Sequence, residues 1–271
     1  MMQDINLGIE IEGILNRELN NIRIGNYHEG LPVRGLRNWK AEQDSSLEHN
    51  QEFGENSTCV EFVSPVYKSK QRFFEGLHRF RKYLSKHGKH ELYKVLLFNK
   101  TCGSHIHFSI NNFSFSDKVI FEVYPKVRRY FMSNLQNSGI QSKHDIINHY
   151  ARRFARELTR DLWRNKLRLS EFNLSSEQSK GLEWRSLNLL NVKTWQEFFE
   201  FWQIVYDSLE YLYEISQKYE HCQDVELREN SEIDSPLPSS SKSVISYKAR
   251  KRKKTYSNIK VPLKVKKEVF L

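Results

Sequence analysis

Residues that interrupt or staple a fold are scarce in this chain of 271: 11 Gly, 6 Pro and 3 Cys. So little Gly and Pro excludes collagen-like and low-complexity architectures. Cys59, Cys102 and Cys222 lie far apart with no C-x-x-C pair. An odd, sparse set of this kind predicts reduced thiols and a cytoplasmic location. No apolar run approaches the ~18 residues a membrane span needs. The run Val95-Leu96-Leu97-Phe98 is only strand-length, so no membrane partner is expected. The opening Met-Met-Gln-Asp-Ile-Asn lacks a basic stretch followed by an apolar core, so no export signal is expected either. Neither G-x-x-x-x-G-K-[ST] nor G-x-G-x-x-G occurs, which excludes P-loop and Rossmann modes of nucleotide binding.

What the chain does have is apolar material and an uneven charge. Hydrophobic residues are 38% and aromatics 13%, enough to build a core and to exclude a fully disordered chain. Of the net charge of +10, residues 229–271 carry +7, from 11 Lys+Arg against 4 Asp+Glu. That segment opens with Asp234-Ser235-Pro236-Leu237-Pro238-Ser239-Ser240-Ser241 and continues with Lys248-Ala249-Arg250-Lys251-Arg252-Lys253-Lys254. The division expected is a folded domain over 1–228 and a basic, disordered tail over 229–271. The basic run could attract nucleic acid or an acidic surface, or could simply be solvated.

Within 1–228 strand and helix patterns alternate without a strict βαβ rhythm. Strand signals fall at Asp4–Glu12, Cys59–Val63, Glu91–Phe98, Ser104–Ile110 and Gly181–Leu189, with a weaker one at Leu31–Lys40. Helical spacing fits Lys68–Lys86, Asp117–Leu135 (broken or kinked by Pro125), Lys143–Asn165 and Thr194–Tyr219. The pattern predicts an α+β fold with an antiparallel or mixed sheet.

Polar residues recur two apart on these strands: Glu10 and Glu12, His105 and His107, Glu183 and Arg185. Alternate strand residues share a face, so each pair points one way. Glu61 sits mid-strand between Val60 and Phe62, and Asp44 lies on a loop. Any one such pair fits a solvated outer face. Several strands that each carry one, with apolar residues opposite, predict a concave polar face that holds metal and phosphate, with helices packed on the other side. Carboxylates sharing a face repel unless a cation joins them, which suggests hard divalent metals. Cys59 and Cys102 read as small packed side chains rather than as nucleophiles. His149, Arg152, Arg153, Arg156 and Arg160 line one side of the third helix. They could face an anion, but an ordinary wet face explains them slightly better.

Five segments occur in order: Leu7-Gly8-Ile9-Glu10-Ile11-Glu12, Asp44-Ser45-Ser46-Leu47 with Trp39 before it, Val60-Glu61-Phe62-Val63-Ser64-Pro65, Thr101-Cys102-Gly103-Ser104-His105-Ile106-His107 and Leu182-Glu183-Trp184-Arg185. Together they resemble the motifs of the amidoligase family, over about residues 5–215. That family is similar to the carboxylate–amine ligases glutamine synthetase and glutamate–cysteine ligase. The resemblance implies a glutamine synthetase-like catalytic domain that uses ATP and Mg²⁺ or Mn²⁺ to join a carboxylate to an amine through an acylphosphate. Either substrate could be carried on a peptide or protein. It further implies that Glu10, Glu12, Glu61, His105 and Glu183 bind metal and that His107 lies beside the nucleotide phosphates. Arg185 would reach the nucleotide and the phosphoryl group in transfer, and Asp44 would lie near the reacting carboxylate, the amine or a metal. The segment between Gly13 and Trp39, with Gly25, Gly30, Pro32 and Gly35, departs from the helix that the resemblance leads one to expect there.

Two other readings stand beside this one. A nucleic-acid-binding or metal-dependent nucleic-acid-processing protein would use the basic tail. A nuclease, however, usually places a Lys close after its second carboxylate, and no Lys follows Glu61 before Lys68. A ligase fold degraded to a binding module is disfavoured by the full set of Glu, His and Arg.

Overall fold

The computed structural model describes residues 5–19, 22–47, 54, 56–86, 89–99, 101–111, 113, 115, 117–140, 172–174 and 181–233. The chain divides into two units, Met1–Arg228 and Glu229–Leu271. The helix expected at 143–165 with its arginine side, and the basic run of the tail, lie outside the described residues.

The first unit is α+β, and every strand pairing in its sheet is antiparallel. Strand β1 (Ile5–Asn16) has the strongest alternation in the chain. Its odd residues Ile5, Leu7, Ile9 and Ile11 are buried, while Asn6, Gly8, Glu10 and Glu12 face the other way. Around it lie β2 (Leu31–Pro32), β3 (Lys40–Gln43), β4 (Ser57–Val63), β5 (Leu96–Leu97), β6 (Ser104–Ile110), β7 (Phe172–Leu174) and β8 (Leu182–Leu187). The order across the sheet is β2-β3-β4-β1-β6-β8-β7, with β5 paired to the far end of β1. β1 therefore lies inside the sheet, between β4 and β6.

Helices cover the apolar face. In α1 (Lys70–Leu84) the buried residues Phe73, Gly76, Leu77, Phe80 and Leu84 recur at helical spacing. Ser69 starts this helix, its hydroxyl accepting from the Arg72 N–H at 3.3 Å. One helical turn, α2 (Leu92–Val95), precedes β5, and α3 (Asp117–Ser138) follows β6. The last helix, α4, runs Trp195–Ile233. A reciprocal cap sets its start: Thr194 Oγ1 accepts from the Glu197 N–H at 3.2 Å, and Glu197 Oε2 accepts from the Thr194 N–H at 2.9 Å.

Aromatic side chains weld helices to sheet. Phe80 of α1 lies 5.2 Å from Phe62 of β4 and 6.2 Å from Phe198 of α4, ring centre to ring centre. Phe131 of α3 meets Trp184 of β8 at 4.7 Å and Phe201 of α4 at 6.3 Å. Such pairs add specific geometry to the area they bury. Among the described residues, no helix is long and apolar enough to cross a membrane.

Among the described strands the sheet is antiparallel, one of the two forms expected. Other expectations change. The Glu91–Phe98 segment begins as a helical turn and only its end is strand, because a short apolar run fits either state. Pro125 lies inside α3 without ending it, and α4 extends past Tyr219 to Ile233. Between β1 and β3, residues 22–39 form turns and the short β2, which agrees with the departure from a helix read there in the sequence.

Candidate metal and phosphate site

Register across the sheet gathers the polar residues. Glu10 of β1 stands opposite His105 of β6, and Gly8 stands opposite His107. His107 in turn faces Glu183 of β8. On the other side, Glu12 faces Glu61 of β4, and Glu61 faces Glu42 of β3. Directly opposed residues of antiparallel strands share a face, so five strands deliver their carboxylates and imidazoles to one side of the sheet.

Two groups of donor atoms result, and Glu10 belongs to both. Glu10, Glu61 and His105 form one; Glu10, His107 and Glu183 form the other. Within each group the ligand atoms lie no more than 4.8 Å apart. His105 Nδ1 is 2.8 Å from Glu10 Oε2, and His107 Nε2 is 3.0 Å from Glu10 Oε1. Each oxygen of Glu10 thus takes one imidazole. Glu12 adjoins the first group: its Oε1 is 3.5 Å from His105 Nε2, and its Oε2 accepts from the Gly103 N–H at 2.5 Å. The depth is graded, from a His105 side chain 11% exposed to a His107 side chain 43% exposed. His105 is thus the deeper of the two imidazoles and His107 the more exposed.

The charges are not at rest. Burial would raise the Glu10 carboxyl, but hydrogen bonds and attraction from His105 and His107 hold it below its ordinary value. Burial raises Glu12, and His105 and the Gly103 N–H offset only part of that. Glu61 is pushed up to about 9 by burial, then by Glu10, Glu12, Glu42 and Asp44. His107 is drawn down by burial, yet its hydrogen bond to Glu10 and that residue's charge leave it raised. Packed carboxylates with two imidazoles and too little positive charge are the donor set a hard divalent cation suits.

The remaining expected residues fall close by. Asp44 is buried just after β3, its Oδ1 accepting from the Ser46 N–H at 2.8 Å and the Ser46 hydroxyl at 2.6 Å. It joins neither donor group, but its charge reaches Glu12 and Glu61. Arg185 presents Nε to Glu183 Oε1 at 3.2 Å. Cys59 and Cys102 are buried free thiols, and burial raises both, Cys102 to about 12. A thiol so disfavoured as thiolate is packing rather than a nucleophile.

One member of this face is absent from the sequence expectations. Glu42 is buried, sits across from Glu61, and accepts from the His28 N–H at 3.4 Å. Its strand is only Lys40–Gln43, and Lys-Ala-Glu-Gln carries almost no strand pattern. The usable signal was its position two residues before Asp44.

Of the comparisons with known proteins, the family model identifies a family. Among curated proteins, none matches the chain. Among solved structures, the cryoEM structure of Plasmodium falciparum glutamine synthetase is similar, at 11% identity and a TM-score of 0.31, over 76% of this chain and 52% of that one. The chain therefore spans about half the length of that glutamine synthetase. A family model described as "Putative amidoligase enzyme" matches residues 4–182 and so takes in Glu10, Glu12, Asp44, Glu61, His105 and His107, with Glu183 and Arg185 just past its end. That match covers well over half of the sequence, and the chain belongs to this amidoligase family.

Proposed function

We propose that this protein is an ATP-dependent ligase that joins a carboxylate to an amine through an acylphosphate. The observation that carries the reading is the pair of donor groups that share Glu10 on one sheet face, in a chain of the amidoligase family. Glu10, Glu61 and His105 would hold one divalent cation, Mg²⁺ or Mn²⁺; Glu10, His107 and Glu183 would hold a second, with Glu12 beside the first. Bound cations supply the charge neutralisation that bringing phosphates and a carboxylate together requires.

This chain's own residues divide the remaining work. The polar sheet face forms the floor of a concave site, and His107, the more exposed imidazole, lies beside the nucleotide phosphates. The substrate carboxylate attacks the γ-phosphorus and ADP leaves. The amine then attacks the acyl carbon and phosphate leaves, giving the amide with loss of one proton. Arg185 meets the phosphoryl group in transit, where two anions meet and a planar cation gains most. Its Nε rests on Glu183, which fixes the fork beside the second donor group. Asp44, fixed by Ser46, would lie near the reacting carboxylate, the amine or a metal. No observation in the described residues favours the nucleic-acid reading, since the basic run that motivated it lies outside them.

The experiment is a screen for ADP release over pairs of carboxylates and amines, with Mg²⁺ and with Mn²⁺. Release that requires both partners, together with an amide product, supports the ligase. Nucleotide hydrolysis that no partner stimulates, or no nucleotide turnover with any pair, counts against it.

A further inference from the structure

Gly8 lies in the middle of β1, where glycine weakens a strand by roughly 0.5–1 kcal/mol and has no side chain to pack. Three other glycines are explained by crowding, and Gly35, Gly54 and Gly139 by a positive φ. A Cβ at Gly13 would lie 2.8 Å from Leu96 Cδ1, one at Gly25 would run into the Glu29 carbonyl, and one at Gly76 would run into the Tyr67 hydroxyl. Gly8 is different. Among the described residues, a Cβ there would touch only the Cβ of His107, at an ordinary 4.0 Å. It is not among the positive-φ glycines. Neither packing nor backbone conformation demands glycine at this position.

Its place in the face supplies a reason. Gly8 shares the side of β1 that carries Glu10 and Glu12 and stands directly across from His107, beside the second donor group. Beyond it the same face carries amides and an ammonium in place of carboxylates. Asn6 Nδ2 donates to Ser109 Oγ at 3.0 Å and to Asn111 Oδ1 at 3.2 Å, and Asn6 Oδ1 accepts from Lys68 Nζ. The face thus runs from cation ligands, over a bare residue, to hydrogen-bonding amides, about 13 Å along the strand from Glu10 to Asn6. A mid-strand glycine with open space above it marks a place where a ligand comes close to the backbone.

We propose that Gly8 is a specificity-determining position, left without a side chain so that the phosphate chain of a nucleotide can lie directly on the β1 backbone beside His107. This rests on the nucleotide-dependent reading above. A methyl group at Gly8 occupies the space the phosphates need and leaves the protein's own contacts intact. Its effects on folding and on binding should therefore have opposite or unrelated signs.

The test compares wild type, Gly8→Ala and Gly8→Leu for melting temperature, Mn²⁺ binding, and affinity for the Mg²⁺ complex of a non-hydrolysable ATP analogue. The expected result for Gly8→Ala is an unchanged or higher melting temperature, retained Mn²⁺ stoichiometry and roughly tenfold weaker analogue binding, by the usual cost of overpacking. Gly8→Leu should weaken analogue binding further. A marked fall in melting temperature for Gly8→Ala would mean that glycine serves the fold, and would overturn the proposal. Wild-type analogue affinity in both variants would overturn it too, while leaving the ligase reading intact. If wild type itself bound no analogue, the nucleotide reading and this inference would fall together.

Discussion

The two faces of β1 differ by one residue's offset and in almost everything else. Ile5, Leu7, Ile9 and Ile11 are at most 1% exposed and belong to the hydrophobic core. Asn6, Gly8, Glu10 and Glu12 bury no apolar surface of note, and two of them are carboxylates within reach of His105. The odd residues supply stability by leaving water. The even residues gather like charges, which cost stability until a cation arrives. Substitutions should therefore sort by face, with stability responding on one and ligand chemistry on the other.

The largest effect is expected on the apolar face. Phe80 touches Trp39, Phe62 and Phe198 and is fully buried. Phe80→Ala should cost about 3–5 kcal/mol of folding stability. Denaturant titration checks this. A loss below about 1 kcal/mol would mean that the helices and the sheet are not held together as described.

Next comes Arg185 on the polar face. Arg185→Lys should keep Mn²⁺ and nucleotide binding while turnover falls on the order of 10²–10³. If nucleotide affinity and melting temperature fall together and turnover at saturating ATP is kept, the Arg185–Glu183 pair is structural.

The alternation of β1 and of Ser104–Ile110 was legible because each strand buries one face and shows the other. Glu10 with Glu12, His105 with His107 and Glu183 with Arg185 are therefore each placed on one face of their own strand by spacing alone. What was not legible depended on long-range pairing. β3 is four residues long with a single apolar side chain, Ala41, so no alternation marks Glu42 as a strand residue. β7, at Phe172–Leu174, is three residues long and, among the described residues, pairs only with β8. Leu92–Val95 and Leu96–Leu97 lie in one short run that buries Leu92, Val95 and Leu96, and pairing with β1 makes the second a strand. The identity of the neighbour, such as His105 across from Glu10, is a property of register, which spacing within one strand does not contain.

The smallest effect sharpens the contrast by reversing its sign. Glu61 is raised to about 9 by burial and by the carboxylates around it, so the fold disfavours its ionised form at neutral pH. Glu61→Gln should stabilise the metal-free protein on the order of 1 kcal/mol, about 2–4 °C at this size. The same variant should weaken Mn²⁺ binding. In the wild type a proton competes for Glu61 below its raised value, so Mn²⁺ affinity should climb with pH towards about 9, with a proton released on binding. A destabilised Glu61→Gln, or Mn²⁺ affinity that ignores pH, would remove Glu61 from the cluster.

The central claim is that one side chain, Glu10, joins two cation sites. Mn²⁺ calorimetry on the wild type and on Glu10→Ala, with melting temperature recorded for both, tests it directly. The account predicts two bound Mn²⁺ in the folded wild type and loss or severe weakening of both in a folded Glu10→Ala. Unchanged stoichiometry and affinity in that variant would contradict it.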